Sequence, residues 1–417
     1  MTLKPIVLHG NNLDHNRGCQ ALRVCTCMIL DKYLPDYPRV HANLFVNRYP
    51  HWLESTECAR YSDQVYESDP RTWTFRLWQA QIGLTGLFSF YPPMKVYQNI
   101  RKSAALLDVG GDLLGMSWGY DALRLFSGPM NAAVQHSVPC IVWGGSIGPF
   151  DGLPKIEKIM LPLLAKSDLL LVREPTTREY LKKNGIEKNV HEVTDCAFLL
   201  PVEEVDVPPE LESALTTGAL GINLAPFLKR KGYANCSPRQ LLKKSVQWII
   251  KLRQHTDIPI VLIPHVMEDK YPETFNNDFE YLRQIHDHLP KELRSGVVLY
   301  DARQHNCMQI KKVISRLKVF AGTRLHATVA SLSSRVPTYT IAFSFKGLGI
   351  NQAVFGHQRW NALYSDITPE RFADDVSRLL HEQNAVRDHL EAFIPEYTKK
   401  AWLAGELLAE KVLSYRK

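Results

Sequence analysis

The sequence predicts two α/β domains, each built on a parallel sheet, and three observations carry that reading. Short runs of Val, Ile and Leu alternate with helical patterns along most of the chain, which is the signature of βαβ units. The alternation falls into two series separated by an acidic, proline-containing stretch, LPVEEVDVPPELE, at 200–212. The chain's 417 residues also exceed the roughly 250–300 at which a single hydrophobic core stops growing.

In the first series, 1–200, a strand at 6–9 leads into a helix at about 19–33. Strands at 104–109 and 140–143 flank a helix near 122–135. A helix at 156–166, a strand at 169–172 and a helix at 177–184 follow. Gly185 closes the last of these, because glycine accepts the left-handed conformation in which helices end. A strand at 190–193 completes the series. Residues 201–212 interrupt the periodicity with prolines and acids and read as a linker.

The second series, 213–367, has strands at 220–224, 260–263, 297–300, 319–321 and 338–341, with helices at about 238–254, 278–287, 308–317 and 325–333. Ser237-Pro238 supplies a helix N-cap followed by a first-turn proline. Residues 368–417 are helical in pattern and form a tail expected to pack back on the N-terminal domain.

One segment fits neither series. Residues 48–98 hold eleven aromatic side chains, with Trp73, Trp78, Phe88, Phe90 and Tyr91 clustered. Two readings stay open: an insert that buries its own rings, or a surface that stacks on a sugar or faces a lipid-linked acceptor. Trp73 and Trp78, interleaved with Arg71 and Arg76, lean toward the first, and 87–93 (LFSFYPP) toward the second.

A composition of 45% hydrophobic and 22% charged residues excludes disordered and fibrous classes. A net charge of +7 is too dilute for a nucleic-acid binder and supports only mild attraction to anionic substrates or lipid. The apolar stretch at the N-terminus is short of a signal-peptide core, and no run approaches the roughly 18 residues of a membrane span. A cytoplasmic protein is expected. Eight scattered cysteines without a CxxC pair read as buried thiols, not as disulfides or zinc ligands.

Glycines follow three predicted strands, where ligands of open parallel sheets sit. They lie in Gly110-Gly111-Asp112, in Gly144 to Pro149, and in Gly322-Thr323-Arg324-Leu325-His326. None matches the dinucleotide or P-loop spacing. The third is the sharpest: Gly322 turns the chain, and Arg324 and His326 open a helix whose free N–H groups favour a phosphate or carboxylate. Arginine adds bidentate oxyanion contacts, and histidine can protonate a leaving phosphate near neutral pH. Arg173, Asp195 and Asp112 stand at strand ends in the first series, and Asn223 and His265 on the corresponding edge of the second. Each carboxylate can serve as general acid or base, or as a helix cap. No DxD and no His/Cys/Asp cluster at ligand spacing occurs, so no metal is expected.

Several of these stretches together resemble the polysaccharide pyruvyl transferase family. The pieces are Asn16-Arg17-Gly18, Val109-Gly110-Gly111, Ser146 to Phe150, Val172-Arg173-Glu174, Thr194-Asp195, Gly322 to Ala327, and Lys346-Gly347, in order along the chain. Asp112 replaces a third glycine, Cys19 stands where an acid is common, and 48–98 matches nothing placed in the family. The resemblance implies two Rossmann-like domains in a GT-B-like arrangement with a helical C-terminal tail. It implies transfer of pyruvate from phosphoenolpyruvate to two hydroxyls of one sugar as a cyclic ketal, with phosphate release and no further cofactor. Arg173, Arg324, the Leu325 backbone and His326 would hold the phosphate, with His326 protonating it as it leaves. Asn16, Gly111, Ser146 and Lys346 join the substrate site by the same resemblance, beside Asn223 and His265. Asp112 and Asp195 both stay open as the acid or base. The implied partners are phosphoenolpyruvate and a sugar acceptor, lipid-linked or free, with peripheral contact at the inner membrane face if it is lipid-linked. Two other classes compete: a GT-B glycosyltransferase with a nucleotide-sugar donor, and a non-catalytic carbohydrate-binding protein.

Overall fold

A computed structural model describes residues 3–10, 15–43, 64–67, 73, 76, 94–116, 119–226, 237–267, 276–343 and 348–415. The first sheet holds seven strands: β1 (Ile6–His9), β2 (Arg39–Asn43), β3 (Gln64–Glu67), β4 (Ala105–Asp108), β5 (Cys140–Gly145), β6 (Leu169–Val172) and β7 (Val190–Glu192). The second holds six: β8 (Leu220–Asn223), β9 (Ile260–Leu262), β10 (Val297–Leu299), β11 (Val319–Gly322), β12 (Thr338–Ala342) and β13 (Asn361–Leu363). Their orders are 3-2-1-4-5-6-7 and 10-9-8-11-12-13. Every strand pairing within the sheets is parallel. Each order reverses once, between β1 and β4 and between β8 and β11. Ligands of such sheets bind outside the carboxyl ends of the strands at these reversals.

The central strands are apolar on both faces because helices cover both: IVLH in β1 and LLLV in β6 are buried throughout. One apolar cluster runs from Ile6 and Leu8 through Phe198 and Tyr397 to Leu220 and Ile222, so the two sheets share a core. Separate clusters cover the outer faces, around Val7 and Leu106 in the first sheet and around Val261 and Phe320 in the second.

Helices begin where the sequence provides caps. Asn16 accepts from the Gly18 amide at 2.9 Å to start Arg17–Tyr33. Ser237 with Gln240, and Asn306 with Gln309, form capping boxes. The stretch expected as a linker is irregular only through Pro208, because Pro209 takes the first position of a helix, Pro209–Thr217. Its irregular part is tied down. Lys311 Nζ donates to the Leu200 carbonyl at 2.5 Å, and Glu203 accepts from Asn306 and Gln309.

The tail is two helices, Pro369–His381 and Gln383–Ser414, broken at Glu382. The second helix crosses between the sheets. Near its start His389 meets the Val354 carbonyl at 2.9 Å. In its middle the Tyr397 carbonyl accepts from Thr194, and further on Glu406 accepts from Tyr33. Gly405 packs on Ile29 and Tyr33, a contact too close for a side chain. Of the aromatic segment 48–98, the cluster Trp78, Phe88, Phe90 and Tyr91 lies outside the described residues. Trp73 is described and is 71% exposed, which corrects its reading as core.

Candidate active site

The N-terminal end of the helix Arg17–Tyr33 reaches across to the second sheet. Asn16 forms an isolated antiparallel bridge with Val266, the Arg17 amide donates to the His265 carbonyl at 3.0 Å, and Met267 donates to the His15 carbonyl at 2.8 Å. The Arg17 guanidinium, 1% exposed, donates to the carbonyls of His305 at 2.7 Å and Arg303 at 3.0 Å. Gly18 sits against the His326 ring, where a Cβ would stand 2.5 Å from Nδ1. Only glycine fits that approach.

Two groups of side chains meet at this seam. On the first sheet, Arg173 follows β6 and is buried. Its Nε donates to Ser146 Oγ at 3.1 Å, and its Nη1 donates to Asp195 Oδ2 at 2.6 Å. A Cβ on Gly111 would lie 3.6 Å from Arg173 Nη1, so the Gly110-Gly111 turn brings its backbone up to the guanidinium. Asp112, at the end of that turn and partly exposed, acts electrostatically on Arg173. The other Asp195 oxygen caps the 3-10 turn Cys196–Leu199 by accepting from the Ala197 amide at 2.9 Å.

On the second sheet, Asn223 ends β8 with its side chain fully used. Its Nδ2 donates to the Ile263 carbonyl, and its Oδ1 accepts from the Arg324 amide at 3.0 Å. The Arg324 guanidinium, expected to face an open cleft, is instead held by Asp278. Nε donates at 3.1 and 3.2 Å and Nη2 at 2.7 Å, with a further bond to Asn276. Asp278 is 0% exposed and also accepts from the amides of His265 and Val266. It therefore fixes the β9 exit loop and Arg324 together. Burial, with His326, Arg324 and Arg17 as positive neighbours, holds the His265 ring well below the usual histidine range and keeps it neutral.

The groups join through Asp195. His326 Nε2 lies 3.5 Å from Asp195 Oδ2, within electrostatic reach but too long for a well-formed hydrogen bond, and Nε2 has no other hydrogen-bond partner. Burial alone would raise the Asp195 carboxyl. Arg173, His326 and the Ala197 amide outweigh it and hold Asp195 below the ordinary carboxylate range. Near neutral pH Asp195 is thus an anion bracketed by Arg173 and His326, which tells against its reading as a proton-transferring acid. The helix Leu325–Ser333 starts beside His326, and its N-cap residue, Arg324, gives no side-chain cap. Its first amides form the positive helix end expected of an anion site.

Of the residues singled out from sequence, Arg173, Ser146, Gly111, Asp112, Asp195 and His326 come together, with Leu325 at the adjoining helix start. Arg324, Asn223 and His265 lie on the same edge as supports. Asn16 serves as the cap that places Gly18, and Lys346 lies outside the described residues. Asp278 was legible only as the first residue of a helix, and nothing in the sequence connected it to Arg324.

Comparison with known proteins decides the family: the model described as polysaccharide pyruvyl transferase matches residues 16–344, which includes both groups. The chain belongs to that family. It is also 23% identical over 227 residues to the amylovoran biosynthesis protein AmsJ of Erwinia amylovora, covering 52% of each chain, so the match spans about half the length of that curated relative. Among solved structures it is similar to UDP-GlcNAc 2-epimerase from Neisseria meningitidis bound to UDP-GlcNAc, with a TM-score of 0.58 and 11% identity over 99% of this chain and 100% of that one. A UGT transferase from Siraitia grosvenorii in complex with UDP gives a TM-score of 0.56 and 11% identity over 98% and 99%. At such identities the likeness is one of fold: this family member has a GT-B-type architecture. Among its described residues no helix is long and apolar enough to cross a membrane.

Proposed function

We propose that the chain transfers pyruvate from phosphoenolpyruvate to a sugar of a polysaccharide or its precursor, forming a cyclic ketal and releasing phosphate. The observation that carries this is the Arg173–Asp195–His326 constellation at the seam, beside the uncapped start of the helix Leu325–Ser333. A small, highly anionic donor needs such a site: a guanidinium, backbone amides and a histidine that can donate a proton.

In this reading the donor phosphate lies on the Leu325 and His326 amides, with the Arg173 and Arg324 guanidinium groups supplying positive field. Protonation of the methylene carbon makes C2 electrophilic. A first sugar hydroxyl adds to C2 as Asp112, beside Arg173, takes its proton. The C2–O bond to phosphate then breaks, its electron pair leaves with the phosphate, and His326 protonates the leaving oxygen. The second hydroxyl closes the ketal. Asp195 faces His326 Nε2 at 3.5 Å, as a buried carboxylate stands beside a catalytic histidine. The donor supplies the reacting group itself, so no further cofactor enters. A lipid-linked acceptor would bring the protein to the inner membrane face, where a net charge of +7 suits anionic lipid.

The fold is shared with proteins solved with UDP or UDP-GlcNAc, so a nucleotide-sugar transferase is the competing reading. Titration calorimetry separates the two. Phosphoenolpyruvate should bind and lose at least tenfold in affinity on Arg173→Met, while UDP- and GDP-sugars bind no better than free phosphate. Tight UDP-sugar binding without phosphoenolpyruvate binding would sink the proposal.

A further inference from the structure

The reversal at β8/β11 carries Asn223, Arg324 and His326. The reversal at β1/β4 carries two ionisable side chains that the scheme above leaves unused. His9 and Asp108 are register partners on these strands, 0% and 3% exposed. Among the described residues Asp108 Oδ1 has no hydrogen-bond partner, and the His9 ring nitrogens make no well-formed hydrogen bond, facing only backbone at Ala42 and Phe126. Buried polar atoms are nearly always satisfied, and leaving them unsatisfied costs stability, so such a pair calls for a reason outside the fold.

Two glycines, Gly10 and Gly110, stand next to the carboxyl at the strand end. Gly10 has φ +91°, and a Cβ on it would lie 2.8 Å from Asp108 Oδ1 and 3.1 Å from Gly110 Cα. A position at hydrogen-bonding distance from the carboxyl oxygen is thus left without a side chain. The turn that follows, Val109-Gly110-Gly111, runs directly to Arg173. Among the described residues the ionisable neighbours are His9 on β1 and Cys140 on β5, whose thiol feels Asp108. The helix Tyr120–Gln135 brings the Phe126 ring to 5.9 Å from His9 and contributes a buried arginine, Arg124. Burial lifts Asp108 to about 7 against the pull of the Gly110 amide, and lowers His9 to about 4. Near neutral pH His9 is uncharged, and Asp108 is populated both protonated and ionised.

We infer that Asp108 is the carbon acid of the reaction, with His9 as its register neighbour on β1. The inference rests on the pyruvyl-transfer reading. The Asp108 carboxyl proton passes to the methylene carbon of the donor. The π electrons form the new C–H bond, and C2 becomes the cation that the first hydroxyl attacks. Of the two protons the diol gives up, one reloads Asp108 and the other returns through Asp112 to His326, which has protonated the phosphate. The sum is donor plus diol giving ketal plus phosphate.

The test is Asp108→Asn against wild type, with kcat followed from pH 5.5 to 9, donor Kd by calorimetry and Tm at pH 8. Wild-type kcat should fall as pH rises through about 7. The variant should lose at least a hundredfold in kcat and the alkaline limb with it. It should keep donor Kd within threefold and melt higher at pH 8, since asparagine buries no charge. A variant that keeps a tenth of the wild-type kcat, or loses donor binding in step with activity, overturns the inference. If Asp108→Asn does not fold, His9→Gln decides: an amide donor against the carboxylate should move the alkaline limb to lower pH, and an unmoved limb overturns the inference. A folded wild type that forms no ketal with any acceptor fails the underlying reading instead, and is recognised by that alone.

Discussion

Replacing Asp278 by Asn probes the second sheet's site most sharply, because one carboxylate serves both Arg324 and the β9 exit loop. In the native protein its oxygens accept three guanidinium contacts of 2.7 to 3.2 Å and two backbone amides at 3.0 and 3.1 Å. Asparagine keeps the shape but offers one acceptor oxygen and turns an NH2 toward donors. Removing one partner of a buried ion pair costs about 3–5 kcal/mol. The Arg324 side chain is 10% exposed, so water recovers a little of this and about 3 kcal/mol is expected. That corresponds to roughly a hundredfold change in an opening equilibrium. Hydrogen exchange over the β11 strand and the helix Leu325–Ser333 should show it as a hundredfold loss of amide protection, with donor affinity falling because the helix start is no longer held. For the same reason Arg324→Ala should not be silent in the fold, since it strands Asp278 without a counter-ion. Protection changed by less than tenfold in Asp278→Asn, with donor affinity intact, would refute the reasoning.

Gly18→Ala places a methyl 2.5 Å from His326 Nδ1. About 1–3 kcal/mol of overpacking is expected, together with a displaced imidazole and a kcat at least tenfold lower, and wild-type kcat in a folded variant would show that the contact yields freely. Asp195, held below its unfolded value near 3.9, contributes stability above that pH and loses it as pH falls through its folded value. The gap between acid titrations of wild type and Arg173→Met should therefore narrow progressively as pH falls below about 4; curves that stay parallel would remove Arg173 as the dominant positive partner. Trp73→Ala, at an exposed position, should change stability by less than about 0.5 kcal/mol; a loss above about 1 kcal/mol in denaturant unfolding would restore its reading as core.

The elements read correctly from sequence are those whose signal is local. The strand Leu169–Val172 and the helices Asp278–Asp287 and Leu325–Ser333 have the expected bounds because an apolar run fixes the first, the Asn277 cap and an apolar stripe the second, and the strand end at Gly322 the start of the third. The strands RVHAN, QVYE and NAL carry no apolar run, and they form because a neighbour in the sheet supplies their hydrogen bonds. The prolines at 208 and 209 argued for a linker, yet the second of them starts a helix. In the site, Gly322 to His326 was legible as one contiguous motif at a strand end. Its electrostatics were not. The partner of Arg324 is the first residue of a helix 46 positions earlier, Arg173 pairs with a residue 22 positions later, and Gly18 meets His326 only because the two halves fold against each other. Such pairings depend on the long-range topology, which no local window contains.

The central claim, ketal transfer from phosphoenolpyruvate at the Arg173–Asp195–His326 seam, is tested most directly by mass spectrometry of sugar acceptors incubated with the donor and either wild-type protein or His326→Ala. Wild type should add one pyruvate ketal per acceptor and release one equivalent of phosphate, undiminished by excess EDTA because the arginines balance the donor's charge, and His326→Ala should do neither. Phosphate released without a ketal, a sugar transferred from a nucleotide donor, or full ketal formation by His326→Ala would contradict it.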